Sequence, residues 1–433
     1  MTRKTYKDVK PKLVLLQLLL LYANDTIAFQ IDYIIEGGIE YTDNATLATV
    51  DPISSAIRRG YLYADMHHQS ETVNYYFRPR ISTYNYKNDL LEDSAFYGLD
   101  ASLSWEIIPR GFIWSFDNYL TQTPIDITGP LTSFNLQTTN VFFTGPDMIF
   151  RLGGDKRLEV LLRYANFYYE TGDIDNERYG GILRLVSQPN RLTEYSINID
   201  SADIRYKETD FNEDYNRNDA YIGINRLTST TNINLDAGYT QIEREVSEDL
   251  NGFIGRIETE TRINSRSNFT LYGHAQYTDS SRSFLLSRAH LVGIRTFNTQ
   301  ISGEILYEKY LYAGYSWQYE TNGLIFNISK VDQDYEELLD EFDRTVERAS
   351  VEFNRGITRL TNIYIHGFWG NTFYKQTSIE DKDSNYFIGL DYLLSRSFTL
   401  RTRLGYRKRD STDTTRNYEE NSAFISINYS NRR

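Results

Sequence analysis

The sequence predicts an all-β fold: a transmembrane antiparallel up-and-down β-barrel of about 20 strands, 18 to 22 and even in number. Three observations predict it. Apolar and polar residues alternate with period two over most of the chain. Short turns alternate with longer acidic loops. The first 28 residues have the layout of an export signal.

The strands come first. Tyr195, Ile197 and Ile199 alternate with Ser196, Asn198 and Asp200; Ile233, Leu235, Ala237 and Tyr239 alternate with Asn232, Asn234, Asp236 and Gly238. Ala349, Val351 and Phe353 alternate with Arg348, Ser350 and Glu352, and Leu400, Leu404 and Tyr406 with Arg401, Arg403 and Arg407. Such runs are strands with one apolar and one polar face. The final strand has the same form, with Ala423, Ile425, Ile427 and Tyr429 on one face, a pattern suited to barrel-insertion machinery.

The connections come second. Short turns are expected at 108–111, 187–190, 228–230, 264–266 and 394–396, and longer acidic loops at 207–219, 332–345, 376–384 and 409–421. Short periplasmic turns and longer extracellular loops mark an outer-membrane barrel. A strand with its connection takes about 20 residues in such a barrel. The 405 residues left after removing 28 from 433 therefore give about 20 strands.

The N-terminus is third. Arg3, Lys4, Lys7, Lys10 and Lys12 precede an apolar stretch from Leu13 to Ala23, and Thr26-Ile27-Ala28 offers small residues for cleavage. This layout predicts a signal peptide over 1–28 and a barrel domain over 29–433. The apolar stretch is too short for a helical span, which needs about 20 residues.

Composition limits the alternatives. Mean hydropathy is −0.52, unlike a helical membrane protein. A net charge of −13 argues against nucleic acid. The absence of cysteine excludes disulfides, thiolate metal sites and a lipid-anchored cysteine. Tyr168, Tyr169, Tyr312, Tyr315, Trp317, Tyr319 and Trp369 are expected near strand ends, as aromatic girdles at the headgroup level. No segment offers a second layer to cover the apolar strand faces, so lipid must cover them. The polar faces then point inward.

That assignment expects Arg256, Glu258, Glu260, Arg262, Arg348, Glu352, Asp391, Arg401, Arg403 and Arg407 to line the lumen, with Glu159, Arg163, Arg184, Asp200 and Asp236. The signs are mixed, so strong ion selectivity is not expected. A polar wall with tyrosine and arginine suits sugars, which offer hydroxyls to bond and ring faces to stack.

Catalytic, metal and cofactor sites are not expected. The adjacent His67 and His68 point to opposite strand faces, and no spacing marks His274, His290 or His366 for catalysis. Asp210, Asn212 and Asp214 open like a calcium loop, but Tyr215 stands where glycine is needed and Tyr221 where glutamate is needed; Asp381, Asp383 and Asn385 fail in the same way at Tyr386.

The stretch Gly37-Gly38-Ile39-Glu40-Tyr41-Thr42-Asp43-Asn44-Ala45-Thr46-Leu47-Ala48 contains a Tyr-Thr-Asp-Asn-x-x-Leu motif: Tyr41, Thr42, Asp43, Asn44 and Leu47. It resembles the opening of the porin 2-like outer-membrane β-barrels that accompany exopolysaccharide and PEP-CTERM protein-sorting loci. Length, tyrosine-rich strands and short Arg/Ser turns extend the resemblance over most of 30–433. It implies an outer-membrane protein of a Gram-negative bacterium linked to surface polysaccharide export, with no active site to transfer. The implied partners are outer-membrane lipid and lipopolysaccharide, the insertion machinery and polysaccharide-export proteins. A local reading of Asp43-Asn44 is a strand-end turn whose side chains bond nearby backbone.

Overall fold

The computed structural model describes residues 30–87, 91–171, 174–208, 212–279, 304–336 and 341–431. The signal-peptide segment, His290 and Asp210 lie outside the described residues. The first strands are β1 (Gln30–Thr42), β2 (Ser55–Gln69), β3 (Val73–Tyr86), β4 (Ser94–Ile108), β5 (Phe112–Pro124), β6 (Leu136–Gly153) and β7 (Lys156–Tyr169). Then come β8 (Asn176–Asn190), β9 (Thr193–Tyr206), β10 (Tyr215–Leu227), β11 (Thr231–Arg244), β12 (Leu250–Asn264), β13 (Ser267–Asp279) and β14 (Ile305–Tyr319). The chain ends with β15 (Asn322–Tyr335), β16 (Arg344–Gly356), β17 (Thr361–Tyr374), β18 (Glu380–Leu393), β19 (Phe398–Ser411) and β20 (Tyr418–Ser430).

Each strand pairs antiparallel with its neighbours in sequence, and β1 pairs with β20 from Ile34↔Ser430 to Thr42↔Ser422. The 20-stranded sheet is therefore closed. Closure leaves no row of unpaired backbone groups, which a sheet in hydrocarbon cannot tolerate.

One end of the barrel carries turns of two to four residues, as at 154–155, 191–192 and 394–397. The other carries loops of five residues or more. The strands run further toward the loop end than alternation alone suggests. β10 begins at Tyr215, β15 continues to Tyr335, β18 begins at Glu380, and β19 runs to Ser411 before β20 starts at Tyr418. The expected loops shrink accordingly. Beyond the lipid both faces of a strand become polar, so the hydrophobic pattern fades while the backbone ladder continues.

The two faces are distinguishable by what they touch. Contacts between strands far apart around the ring are possible only through the interior. Arg178 of β8 meets Asp279 at the end of β13, and Arg409 of β19 reaches the carbonyl of Thr128 in the loop after β5. Arg178 and Arg409 mark the inner face, and Asp279, outward by register at the end of β13, is brought inward to meet Arg178. The opposite face carries Ile35, Ile39, Leu183, Ile197, Ile222, Phe253, Ile388, Leu404 and Ile427, all exposed. By register all four tryptophans, Trp105, Trp114, Trp317 and Trp369, are also on the outer face. A continuous apolar exterior of this size is stable only against hydrocarbon.

The aromatics divide between the two faces. Tyr315, Trp317 and Tyr319 belong to the outside near the turn end, whereas Tyr169 and Tyr312 are buried on the inside. Trp369 stands mid-strand, away from either end. Alternation places adjacent tyrosines on opposite faces, so the girdle expected from Tyr168-Tyr169 is half an inner-wall feature.

Candidate functional site: the inner wall

The richest part of the inner wall runs from β18 through β20 to β2. Arg401 bonds Asp391 (2.9 and 3.2 Å) and lies 3.3 Å from Glu36. Glu36 also accepts from the Ser426 hydroxyl at 2.7 Å. Arg403 lies 3.6 Å from Glu40, which also pairs with Arg59. Arg407 meets Glu420 at 3.0 Å, and Arg409 grips Asp383 with two bonds (2.8 and 3.1 Å). Direct cross-strand pairing explains the matches: Asp391↔Arg401 and Arg407↔Glu420 are register partners. Aromatic faces are interleaved. The Arg403 guanidinium lies 5.5 Å from the Phe387 ring and 5.4 Å from Phe424, and Arg59 lies 5.0 Å from Tyr84. Arg401, Arg403 and Arg407 retain about a third of their side-chain exposure, so this wall faces an accessible interior.

Near the turn end, β7, β8 and β9 carry a four-membered charge ring. Arg157 and Arg184 each bond both Glu159 and Glu194, at 2.5 to 3.3 Å. Arg163 pairs with Asp147. Asp200 stands opposite Asp219 on β10.

The wall from β8 to β16 is more covered. Gln276, Gln333, Leu306, Val331 and Val346 have essentially no accessible surface. A polar chain crosses it: Tyr272 OH to His274 Nδ1 (3.0 Å), His274 Nε2 to Glu308 (2.9 Å), Gln333 to Glu308 (2.7 Å) and Arg344 to Gln333 (2.9 Å). Arg256 stands opposite Asp236 and donates to Gln276 at 2.9 Å. Glu258, Glu260 and Arg262 follow Arg256 on the same face of β12, Glu258 accepting from Asn234 and Arg262 donating to the Ser229 carbonyl. Arg348 and Glu352 share the inner face of β16, where Glu352 lies 3.6 Å from His366.

One segment reaches across the loop-end mouth, and the ends of β13 and β14 lean in from another side. The segment after β5 puts the Thr128 carbonyl within 2.9 Å of both Arg409 and Arg416. Asn135 clamps that segment through the Asp126 amide and carbonyl, and Tyr86 bonds Ser133 at 2.8 Å. From the other side, Asp279 accepts from Arg178 (2.5 and 3.2 Å) and from Tyr215 (2.9 Å). Ile305 packs there with Ile204, Tyr206, Tyr215 and Ile242. The β13–β14 tip therefore leans onto the inner wall of β9 to β11.

The loops above are tied by carboxylates. Partial burial pushes the Glu213 carboxyl up, but the amides of Ser247 and Val246 and the charge of Arg244 outweigh it and hold it below its ordinary range. Asp214 accepts from the Tyr206 amide at 2.7 Å. Asp381 and Asp383 lie on the inner face of β18, bound to Arg416 and Arg409, instead of in a loop. Among the described residues no group of three or more His, Cys, Asp or Glu could hold a metal ion. His67 lies beside Asp65 and His68 against Tyr75.

The Tyr-Thr-Asp-Asn motif sits at the seam where β1 meets β20. Thr42 donates to Glu420 at 2.7 Å. Asp43 accepts from the Asn421 amide (2.7 Å) and side chain (2.9 Å). Asn44 donates to the Glu419 carbonyl (3.0 Å) and exchanges two bonds with Ala48 (2.9 Å each). Tyr41 is exposed on the outer face, and Leu47, at a positive φ of 52°, is buried beneath the loop. The motif thus does more than turn the chain locally. It clasps the first strand to the last.

Residues 346–431 match the model of a family described as "Putative beta-barrel porin 2". No curated protein matches the chain. Among solved structures, the siderophore receptor PirA of Pseudomonas aeruginosa is 10% identical, with 94% of this chain and 81% of that chain covered and a TM-score of 0.44. OccK2 (OpdF) of the same organism is 8% identical, with 94% and 98% covered and a TM-score of 0.40. OprD, also from P. aeruginosa, is 10% identical, with 93% and 95% covered and a TM-score of 0.36. The closed 20-stranded sheet and the apolar exterior make this chain a transmembrane β-barrel, and its residues 346–431 are similar to the porin 2 family.

Proposed function

We propose that the barrel is a conduit, or an accessory to one, for export of surface polysaccharide. The observation that supports this most is the β18–β2 wall, where partly exposed arginines alternate with carboxylates and the rings of Phe387, Phe424 and Tyr84. Guanidinium and carboxylate groups bond sugar hydroxyls from either side, and aromatic faces pack on the apolar faces of sugar rings. The residues assigned to the lumen are, on this reading, wall contacts for a passing chain.

The covered β8–β16 wall, the segment after β5 across the mouth and the inward-leaning ends of β13 and β14 favour a second reading, in which the barrel is a closed anchor for an export machine. Planar-bilayer conductance of the purified chain separates the two. Steady open steps support the conduit, and persistent silence supports the anchor. In a conducting barrel, Arg401→Glu combined with Arg403→Glu should shift selectivity toward cations, because four units of charge change on one wall. Unchanged selectivity would show that ions do not pass along that wall.

A further inference from the structure

We propose that an arc of lysines outside β14 to β19 binds the phosphorylated headgroups of the outer-leaflet glycolipid. The inference rests on the outer-membrane reading but not on conduction. After Phe29 the chain has eight lysines: Lys87, Lys156, Lys207, Lys309, Lys330, Lys375, Lys382 and Lys408. The last five all fall between β14 and β19, toward the loop end.

Their placement is not a by-product of where cations occur. Among the described strand residues, the lysines are outward-facing by register, while every inward cation of the β18–β20 and β7–β9 networks is an arginine. The two cations do different work. Arginine's planar fork fixes two carboxylate oxygens, whereas the lysine ammonium is a mobile point charge suited to phosphate. Fixed pairs are needed inside and a pliable surface outside.

The arc borders the apolar exterior. The next outward positions toward the turn end are Leu311 below Lys309, Ile328 below Lys330, Ser384 below Lys382 and Tyr406 below Lys408. Lys309, Lys330 and Lys382 keep more than half their side-chain exposure. Each lysine has a carboxylate neighbour: Asp332 at 3.8 Å from Lys309, Glu347 at 2.8 Å from Lys330, Asp332 at 2.8 Å from Lys375, Glu380 at 3.3 Å from Lys382 and Asp410 at 2.9 Å from Lys408. The exposed pairs of Lys309, Lys330, Lys382 and Lys408 are weak, so a phosphate oxygen can replace the carboxylate, whereas Lys375 is more enclosed and held by both Asp332 and Asp334. Divalent cations then join the freed carboxylates to neighbouring phosphates. The opposite side has a single lysine at this margin, Lys207, 3.9 Å from Asp175. At the same margin, β8 to β11 present Glu177, Asp203, Asn216, Asn218 and Glu243, with Arg205 tied to Asp203.

The test is binding of diphosphorylated lipid A to the full chain in detergent micelles with magnesium. Dephosphorylated lipid A and inorganic phosphate serve as separate probes. Changing Lys309, Lys330, Lys375, Lys382 and Lys408 together to Gln should weaken diphosphoryl lipid binding at least about tenfold. Changing Lys87, Lys156 and Lys207 to Gln should leave it within about twofold. Inorganic phosphate alone should bind far more weakly than the lipid. Should the five-fold variant lose its heat-modifiable mobility, the pair Lys330→Gln and Lys382→Gln carries the test. Equal binding of dephosphorylated lipid, equal loss in the control variant, or phosphate binding as tight as the lipid would each overturn the proposal. A silent bilayer trace would leave it standing.

Discussion

Asp279→Ala should destabilise the barrel by about 3–5 kcal/mol, because it leaves the Arg178 guanidinium buried without its counter-charge. Both partners are deeply covered, with side-chain exposure of 12% for Arg178 and 3% for Asp279. The pair joins strands five places apart around the ring, β8 and β13, so it also holds the β13–β14 tip against the inner wall of β9 to β11. Removing only the Tyr215 hydroxyl, which donates to the same carboxylate, should cost about 1 kcal/mol. The double change Arg178→Met with Asp279→Leu should recover most of the loss, since apolar residues of similar size replace a buried pair at little cost. Urea midpoints of the four proteins in lipid vesicles measure this. A single-variant midpoint equal to the parent's would show that the two groups are hydrated and the tip is not docked.

Asn44→Ala should cost about 2–3 kcal/mol. The Asn44 amide is almost wholly buried and serves three bonds, two within the loop and one across the seam to Glu419. Alanine leaves the Ala48 amide and two carbonyls without their partner. Asn44→Asp keeps the acceptor for the Ala48 amide but loses both donated bonds, so it should fall between alanine and the parent. The loss should appear as earlier opening of the β1–β20 seam, read by hydrogen exchange of the Asp43 and Asn421 amides relative to those of β10 and β11. Uniform exchange across all strands would show that the motif does not clasp the seam.

These two sites show where sequence reading stops. Period two separates the faces of β19, with Leu400 and Leu404 outside and Arg401, Arg403 and Arg407 inside, because a strand's own geometry dictates it. It does not say which residue stands across a wide interior. Arg178 and Asp279 are 101 residues apart, and no local pattern links them. Glu36 and Glu40, which anchor the arginine wall, did carry a signal. They alternate with Ile35, Ile39 and Tyr41 in the same way. Asp381, Asp383 and Arg409 looked like loop residues because the outer face opposite them is also polar, with Lys382, Lys408 and Asp410. The pattern that marks a strand disappears where lipid ends, although the ladder does not.

The inner wall, the seam and the lysine arc all follow from which face meets hydrocarbon, and the tryptophans report that directly. All four lie on the outer face, so in vesicles of brominated phospholipid most of the intrinsic tryptophan fluorescence should be quenched, and iodide in the water should quench little. Strong quenching by iodide with none by brominated lipid would mean that the apolar face is turned away from the membrane, and the barrel described here would be inside out.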